Sequence, residues 1–423
     1  MTSRATPLAF ALATLAALAL LLAVIIDRIE PVLVAVPPLV ALLRGRRPLP
    51  EARFTLTHAL SAERAMEGDC ITVSMTLTAE TELPAIELLY RLPAIMALAS
   101  GSNRVLLRVA AGETVTGSFE LRCLARGHVR LGEMHLRLWH PSRLRVVETS
   151  HDDPLRLSVY PVTAPVRFLP RPLRTRSTFG NHVSARLGQG LEPGEIRLYG
   201  PGDLLKQINW RASLRTGKLY VTQFHEERNA DVVILLDVTA DVGAPPQSSL
   251  DHTVKAAAAL AGAYLRHRDR VGLITYGGNV QWIRPGTGRR QIERLLEALL
   301  PASMTGNYSF QSLEILPPRV LPPGALILAL SPLIDPRFTR VVTNLAERGF
   351  DVLLLALSPL DLMRPFVMSS PTVELARRVW ALDREARLEA LRDRGLAAVE
   401  LTPGLPLDAV LAPLARRRRS VPR

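Results

Sequence analysis

The amino-acid sequence predicts a membrane-anchored protein of mixed α/β class. An apolar N-terminal hairpin and an antiparallel β-sandwich precede a doubly wound α/β domain. Residues 7–26 carry no charged side chain, residues 51–161 alternate apolar and polar side chains, and strand-like and helix-like segments alternate from residue 230 onward. With 423 residues, the chain is long enough for two or three domains with cores of their own.

The first apolar run, residues 7–26, has the length of a membrane-spanning helix, roughly 30 Å at about 1.5 Å per residue. A cleaved signal peptide is the competing interpretation, but Asp27 and Arg28 follow without a small-residue cleavage site. Residues 31–43 are apolar again and include a Pro-Pro pair. This second run predicts either a short, tilted helix of a hairpin or an interfacial segment, and the hairpin is preferred.

Charges beside the two apolar runs predict the orientation. Arg44, Arg46 and Arg47 directly follow the second run, so the positive-inside rule places the rest of the chain in the cytoplasm. Cys70 and Cys123 are then expected to be reduced, whereas in an exported sandwich the pair would suggest a disulfide between two sheets. The predicted location is therefore the inner (cytoplasmic) membrane.

Residues 51–161 show period-two patterning with turn residues between the runs, which predicts a sandwich of about seven strands. A structural role without a site of its own is the expectation for this part of the chain. The predicted boundaries are 1–49 for the hairpin, 50–161 for the sandwich, 162–229 for a linker and signature segment, 230–415 for the α/β domain, and 416–423 for a basic tail.

The α/β domain begins with an unbroken apolar run at residues 232–236, typical of a strand buried on both faces. Further strands are predicted at 271–276, 326–330, 352–357 and 399–401, and helices at 250–268, 291–299, 340–348, 372–394 and 407–414. Strands separated by helices indicate βαβ units around a parallel sheet. The apolar side of helix 372–394 is assigned to Leu375, Val379, Leu382, Ala386 and Leu391.

The signature segment, residues 188–237, combines turn residues, paired charges and a single tryptophan. Its pattern is Arg-x-Tyr-x-x-Gly-Asp, then Ile-x-Trp-x-x-Ser, then a strand ending in Asp. The pattern residues are Arg197, Tyr199, Gly202, Asp203, Ile208, Trp210, Ser213, Arg215, Gly217 and Asp237. A charge-assisted network above a buried Trp210 is the leading interpretation, and a docking surface for a partner is the alternative. The network would be formed by Arg197, Asp203, Lys206, Arg211 and Glu226.

This order of residues resembles the signature of a bacterial membrane-anchored family, domain of unknown function 58 (DUF58), which carries a von Willebrand factor type A-like domain. The chain departs from the family pattern at Lys206, usually Arg, and at Leu214, usually Ala. No enzymatic activity is established for the family, so the resemblance implies architecture more than chemistry. Similar proteins are commonly encoded beside a MoxR-type AAA ATPase. The resemblance therefore implies such an ATPase and neighbouring membrane proteins as partners, in assembly or maturation of an envelope or metal-dependent complex.

Asp237 also opens a stretch that resembles a metal site. In type A domains the loop after the first strand reads Asp-x-Ser-x-Ser and helps to hold Mg²⁺ or Ca²⁺, and the matching residues here are Asp237, Thr239 and Asp241. The other two loops match poorly, because the second offers only Thr305 or Ser309 and the third lacks an aspartate after its serine. We therefore expect Asp237 and Asp241 to cap the following helix or to accept from nearby donors, with no bound cofactor.

A non-enzymatic scaffold that presents its type A-like domain to cytoplasmic partners is the favoured function. The sequence contains no Ser-His-Asp order with elbow glycines, no Gly-Lys-Ser/Thr phosphate loop and no His-Glu-x-x-His motif. Two alternatives stay open: a metal-dependent hydrolase, and an envelope-facing adhesion protein of opposite topology. The hydrolase would use the carboxylates of Asp203, Glu226 and Asp231 or Asp237.

Membrane lipid is an expected partner and nucleic acid is not. The net charge of +13 is scattered along the chain without the interleaved aromatic residues of a nucleic-acid-binding surface. The basic tail at residues 416–423 is expected to be a solvated end that anionic cytoplasmic lipid attracts.

Overall fold

The computed structural model describes residues 2–45, 52–170, 176–201, 203–277, 281–304, 321–363 and 370–420. For residues 2–3, 176–195, 206, 223–229 and 416–420 it describes the backbone alone. The chain divides into two compact units, Met1–Tyr160 and Pro161–Arg423.

Unit 1 contains two helices and ten strands in its described part. In chain order they are β1 (Thr2–Ala5), α1 (Pro7–Ile26), α2 (Glu30–Arg44), β2 (Phe54–Leu60), β3 (Arg64–Met66), β4 (Cys70–Ala79), β5 (Leu83–Tyr90), β6 (Met96–Ser100), β7 (Arg104–Val109), β8 (Thr114–Cys123), β9 (Gly127–Trp139) and β10 (Arg145–Tyr160).

Helices α1 and α2 contact each other, and the chain on both sides of the pair meets the turn before β10. Strand β1 pairs antiparallel with β10, and Thr6 donates its hydroxyl to the carbonyl of Arg143 at 2.8 Å while capping α1. Gly45, directly after α2, lies so close to Leu144 that a Cβ would stand 2.8 Å from its Cδ1. The two helices therefore form a hairpin with both ends on the same part of unit 1.

Among the described residues, α1 is the one helix long and apolar enough to cross a membrane. Large apolar side chains such as Phe10 and Val24 are exposed on its surface. Helix α2 is shorter, at 15 residues, and contains Pro37 and Pro38. Arg46 and Arg47, which carry part of the orientation argument, lie outside the described residues.

Strands β2 to β10 form two largely antiparallel sheets around one core. One sheet has the order β1-β10-β9-β5-β7 with β3 parallel to β10, and the other has the order β2-β4-β8-β6. Nine strands thus lie in the described range 52–160, more than the seven predicted, because β3 and β6 are too short for alternation to reveal them. The rings of Tyr90 and Phe119 meet edge to face in the core, 5.3 Å apart at their centroids.

The two cysteines lie on neighbouring strands of one sheet. Cys70 stands opposite Arg122 in the β4–β8 register, so Cys123 points to the other face of the sheet. Cys70 is exposed, whereas burial raises the pKa of the Cys123 thiol to about 11. Both are free thiols, and the alternative of a disulfide joining two sheets does not match this placement.

In its described part, unit 2 consists of a two-stranded sheet and a six-stranded sheet that packs against helices. Its elements are β11 (Arg176–Leu198), α3 (Trp210–Thr216), β12 (Tyr220–Asn229), β13 (Asp231–Asp237), α4 (Ser249–Arg266), β14 (Arg270–Tyr276), β15 (Gln281–Gly286), α5 (Arg289–Leu299), β16 (Leu326–Ser331), α6 (Pro336–Glu347), β17 (Asp351–Leu357), α7 (Pro371–Asp393), β18 (Ala397–Leu401) and α8 (Leu407–Ser420).

The main sheet of unit 2 has the order β15-β14-β13-β16-β17-β18, parallel throughout except for β15. Strand β13 is buried along its whole length, as its unbroken apolar run predicts. Its alternate side chains enter two separate cores. Ile234 packs with α4, α5 and α8, while Leu235 packs with α6 and α7. Helices thus cover both faces, and the carboxyl ends of five parallel strands meet at one edge.

Two sequence predictions for unit 2 were wrong in detail. Strand β15 was missed because Pro285 and Gly286 are residues that strands disfavour, and they are tolerated at the edge of the sheet. On α7 the side that packs on the sheet carries Arg384, Leu388 and Leu391. Leu375, Val379, Leu382 and Ala386, which were also assigned to that side, are exposed.

Candidate functional site

The turn at the start of the signature segment is closed by an ion pair. Arg197 donates to Asp203 through both terminal nitrogens, Nη1 to Oδ2 at 2.9 Å and Nη2 to Oδ1 at 2.6 Å. The amide of Gly200 donates to the same Oδ2 at 2.8 Å. The hydrogen bonds from Arg197 and from the Gly200 amide hold the pKa of Asp203 below its usual value. The bidentate pair therefore fixes the path of the turn.

Helix α3 is fastened to β12 through two polar residues. Asn209 caps the helix by accepting from the Ala212 amide at 3.0 Å, and its Nδ2 donates to Thr222 Oγ1 at 3.0 Å. Buried Ser213 donates to the carbonyl of Asn209 at 2.8 Å and accepts from the Tyr220 amide at 2.9 Å. These contacts hold α3 in one orientation on the strand.

Two other signature residues also have structural roles. Ile208 is buried and bridges to Val221, and Gly217 ends α3 with a positive φ of 71° that favours glycine. Asn209 and Thr222 were not among the predicted site residues. A hydrogen-bonding side chain directly before a short helix is the usual N-cap pattern, so Asn209 could have been found from the sequence.

Trp210 is exposed, and the prediction that it lies buried beneath a charge network was wrong. Its exposed fraction is 62%, and that of Leu214, one helical turn later, is 83%. The two residues share the outer face of α3, because the inner face of this seven-residue helix is occupied by Ser213. Leu205 is also exposed, in the 3₁₀ turn that precedes α3.

Basic side chains accompany these exposed apolar ones. Arg211, Arg215 and Lys218 are all exposed, and residues 204–225 contain no acidic residue. We refer to Leu205, Trp210 and Leu214 with these three basic residues as the Trp210 surface. The side chains of Lys206 and Glu226, and all of Gly202, lie outside the described residues. Of the predicted network the structure describes the Arg197–Asp203 pair and Arg211, whose side chain is exposed.

At the carboxyl end of β13, Asp237 is almost fully enclosed. Its Oδ1 accepts from the Thr239 amide at 3.0 Å and from the Thr239 hydroxyl at 2.6 Å, and its Oδ2 accepts from Ser331 Oγ. Burial raises the pKa of Asp237 to about 6, although the hydrogen bonds from Ser331 and Thr239 oppose that shift. The carboxyl group is thus held by protein donors on both oxygens.

Asp241, the third candidate metal ligand, lies at a helix terminus. Its Oδ1 accepts from the Leu250 amide at 2.8 Å and from Ser249 Oγ at 2.9 Å, at the start of α4. Asp335, the nearest carboxylate after Ser331, caps α6 and is paired with Arg337.

These residues do not fit a divalent cation. Both oxygens of Asp237 and one oxygen of Asp241 already accept hydrogen bonds, and Asp335 is neutralised by Arg337. In the part of the chain that the structure describes, no group of three or more His, Cys, Asp or Glu side chains is arranged to hold a metal. Thr305 and Ser309, the candidates on the second loop, lie outside the described residues.

A buried guanidinium lies at the same edge of the sheet. Arg384 of α7 donates to the carbonyls of Pro332 and Leu357, both at 2.6 Å, and to Glu400 at 3.0 Å. It therefore ties together the ends of β16, β17 and β18. Burial lowers the pKa of Arg384, while Glu400 opposes that shift. Nothing in the sequence distinguished this arginine from the others on α7.

Two of the carboxylates named for the hydrolase alternative are held in ion pairs. Asp203 is paired with Arg197 and Asp231 with Arg270. Asp231 and Asp237 occupy opposite ends of the seven-residue strand β13, about 20 Å apart at the usual rise per residue. Glu226 lies among the residues whose side chains are not described.

Comparison with known proteins finds relatives that match part of the chain. Uncharacterised proteins of Mycobacterium bovis (strain ATCC BAA-935 / AF2122/97) and Mycobacterium tuberculosis (strain H37Rv) are each 32% identical to it over 132 residues, 30% of this chain. The match spans 42% of the length of these relatives.

Solved structures are similar only to small parts of the chain. The cupredoxin domain of amoB from Nitrosocaldus yellowstonii covers 25% of this chain and 86% of its own, with 11% identity and a TM-score of 0.20. The C-terminal domain of wzt covers 27% of this chain and 81% of its own, with 12% identity and a TM-score of 0.19. TM-scores this low do not establish a shared fold.

A family model described as "protein of unknown function DUF58" matches residues 195–367, a range that contains the Arg197–Asp203 turn, the Trp210 surface and Asp237. The resemblance carried by the signature residues is therefore confirmed: through this segment, the chain belongs to the DUF58 family.

Proposed function

We propose that this protein is a non-enzymatic, membrane-anchored scaffold whose α/β domain presents a docking surface to cytoplasmic partners. The observation that carries the proposal is the Trp210 surface. Apolar side chains stand exposed on a helix that Asn209 and Ser213 hold rigidly in place. Such a surface binds with little loss of conformational entropy, since the chain around it is already ordered.

The composition of the surface indicates the kind of partner. Tryptophan and arginine are the residues most enriched among those that dominate protein–protein binding energies. Arg211, Arg215 and Lys218 are exposed and follow Trp210 within eight residues with no acidic residue between them, so an acidic partner surface would be electrostatically complementary. The partner we propose is a MoxR-type AAA ATPase, acting in the assembly or maturation of an envelope or metal-dependent complex.

The α/β domain is proposed to be a doubly wound, von Willebrand type A-like domain. Its support is the strand order β15-β14-β13-β16-β17-β18, with one antiparallel edge strand and helices on both faces of the sheet. In such sheets, ligands bind beyond the carboxyl ends of the strands. In this chain the described groups at that edge bond to one another, which favours binding through an outer surface.

The anchor is proposed to be the α1–α2 hairpin, with both of its ends and the chain after it in the cytoplasm. Its support is the length of α1 and the meeting of both hairpin ends at Leu144 of unit 1. Because β1 precedes α1 and pairs with β10, removal of α1 as a signal peptide would also remove a strand from the sheet. Reporter fusions after Arg423 test the orientation, and activity only outside the cytoplasm would contradict it.

Co-purification tests the docking proposal. The intact, tagged protein is extracted from its native membrane in mild detergent, with and without ATP, and the captured ATPase is quantified. The double variant Trp210→Ala, Leu214→Ala is expected to lower capture at least about tenfold, because truncation of a central aromatic residue removes a dominant contact. The matched control is Leu405→Ala, another exposed leucine of unit 2.

Two outcomes would contradict separate parts of this proposal. If the unaltered protein captures no ATPase under either nucleotide condition, the partner is wrongly assigned. If the double variant captures as much ATPase as the control, the ATPase binds elsewhere and the Trp210 surface is not the docking site.

A further inference from the structure

Helix α7 has two apolar sides, and only one of them packs on its own domain. Arg384, Leu388 and Leu391 are buried against the sheet. On the opposite side Leu375, Val379 and Leu382 have exposed fractions of 63%, 58% and 66%. Ala386 continues that row and is also exposed. We call Leu375, Val379, Leu382 and Ala386 the α7 seam.

The spacing of the seam is that of a coiled coil. Its members follow one another at intervals of four, three and four residues, the alternation of a and d positions in a heptad, so all four lie along one side of the helix. In heptad terms Leu375 and Leu382 are d positions and Val379 and Ala386 are a positions. An ordinary surface helix turns its apolar stripe toward its own core, whereas this stripe faces away from it.

The charges beside the seam match a second copy of the same helix. Arg378 occupies a g position, Asp383 an e position and Glu385 the next g position. In a parallel pair, Arg378 of each helix faces Asp383 of the other, and in an antiparallel pair it faces Glu385. Both alignments join opposite charges, so the seam is self-complementary in the way that a two-fold interface requires.

We propose that α7 is a dimerisation helix, which pairs with α7 of a second copy of this chain across the α7 seam. The helix is already folded on its domain, so pairing does not have to supply the energy for helix formation. The seam is about 17 Å long, which is short for an isolated coiled coil, and the anchor proposed above confines copies to one surface and raises their effective concentration. The Trp210 surface lies on and before α3 and shares no residue with the α7 seam.

Self-capture of the full chain tests this proposal. Two differently tagged copies are expressed together, and the fraction of one recovered with the other is measured from membranes and from purified protein in lipid vesicles. Leu382→Asp, and independently Leu375→Asp, are expected to lower self-capture at least about tenfold by placing a charge in the seam. Leu405→Asp is the matched control, and thermal unfolding checks that each variant is folded.

Exchanging charges beside the seam provides a second test and shows whether the two α7 helices pair in parallel or antiparallel. Arg378→Glu in both copies is expected to weaken self-capture, because it places like charges opposite each other. Pairing one Arg378→Glu copy with an Asp383→Arg copy restores capture if the helices are parallel, and with a Glu385→Arg copy if they are antiparallel. Either restoration supports the dimer.

Restoration by neither copy would overturn the proposal, as would unchanged self-capture of both seam variants. Self-capture from native membranes that disappears in vesicles of purified protein would overturn it too, since another protein would then bridge the copies. The readout is independent of ATPase capture, so the two proposals stand or fall separately.

Discussion

Side chains are arranged in opposite ways at the carboxyl ends of the parallel strands and on the Trp210 surface. At the strand ends Asp237, Ser331 and Arg384 are buried, and each bonds to a partner within the protein. On α3 the polar groups of Asn209 and Ser213 face inward, and the large apolar side chains face out. Among the described residues, the side chains at the edge where parallel α/β sheets usually bind ligands are therefore bonded to one another, while large exposed apolar side chains lie on the short helix α3.

Paired charges and exposed apolar groups have different roles in this protein. Buried polar groups must be hydrogen-bonded, and their pairing specifies how the strand ends fit together. Exposed Trp and Leu side chains contribute little to folding, and their presence on a rigid helix is the support for the proposed docking role. Substitutions at the strand ends and on α3 test this division, and the largest effect on stability is expected at the strand ends.

Replacing Arg384 with alanine is expected to destabilise unit 2 by roughly 3 kcal/mol. The substitution leaves the carbonyls of Pro332 and Leu357 without their donor in a buried place. Hydrogen exchange of the β16 and β17 amides in the full chain measures the effect without requiring two-state unfolding. Arg387→Ala removes an exposed arginine one turn later and is expected to change stability by less than about 0.5 kcal/mol.

Equal hydrogen-exchange protection of β16 and β17 in the Arg384 and Arg387 variants would mean that the stability of the strand ends does not depend on the buried guanidinium. The Arg384→Lys variant provides a second test of the same site. A lysine ammonium lacks the planar fork that reaches several acceptors, so it is expected to recover only part of the loss.

Asp237→Asn is expected to change how stability depends on pH. The pKa of Asp237 in the folded protein is about 6, above its ordinary value of 3.8, so the folded state holds this proton more tightly than the unfolded state. The contribution is fully present below about pH 4 and is lost as pH rises through about 6. Two pKa units correspond to roughly 3 kcal/mol.

The stability of the unaltered protein relative to Asp237→Asn should therefore fall by about that amount between pH 4 and pH 7.5, measured by hydrogen exchange of β13 in EDTA. Parallel pH profiles for the two proteins would contradict the raised pKa. Adding Mg²⁺ tests the closed edge directly, since a cation bound by Asp237 would stabilise the unaltered protein and not the variant.

The sequence was informative where one chemical signal decided the structure and uninformative where packing decided it. Strand β13 is buried on both faces, so its unbroken apolar run was a reliable signal. The pairing of Arg197 with Asp203 was predicted correctly, because these opposite charges lie six residues apart with turn residues between them. Trp210 was placed wrongly, since a seven-residue helix has too few turns for periodicity to show which side faces inward.

Helix α7 shows the same limit at greater length. Its sequence carries apolar residues on two sides. The domain buries Leu388 and Leu391 on one side and leaves the α7 seam exposed on the other. Arg384 lies on the packing side because three acceptors converge there from different strands, and no local pattern along α7 records that convergence. Tertiary contacts, rather than helix periodicity, choose between the two sides.

The smallest expected effect separates the two sides of α3. Trp210→Ala should change stability by less than about 0.5 kcal/mol, because the side chain is exposed and alanine suits a helix. Ser213→Ala, on the inner side, leaves the Tyr220 amide without its side-chain acceptor and is expected to cost about 1 to 2 kcal/mol. Hydrogen exchange at β12 measures both substitutions. If Trp210→Ala loosens β12 as much as Ser213→Ala does, the tryptophan belongs to the fold, and the exposed face of α3 no longer argues for a partner.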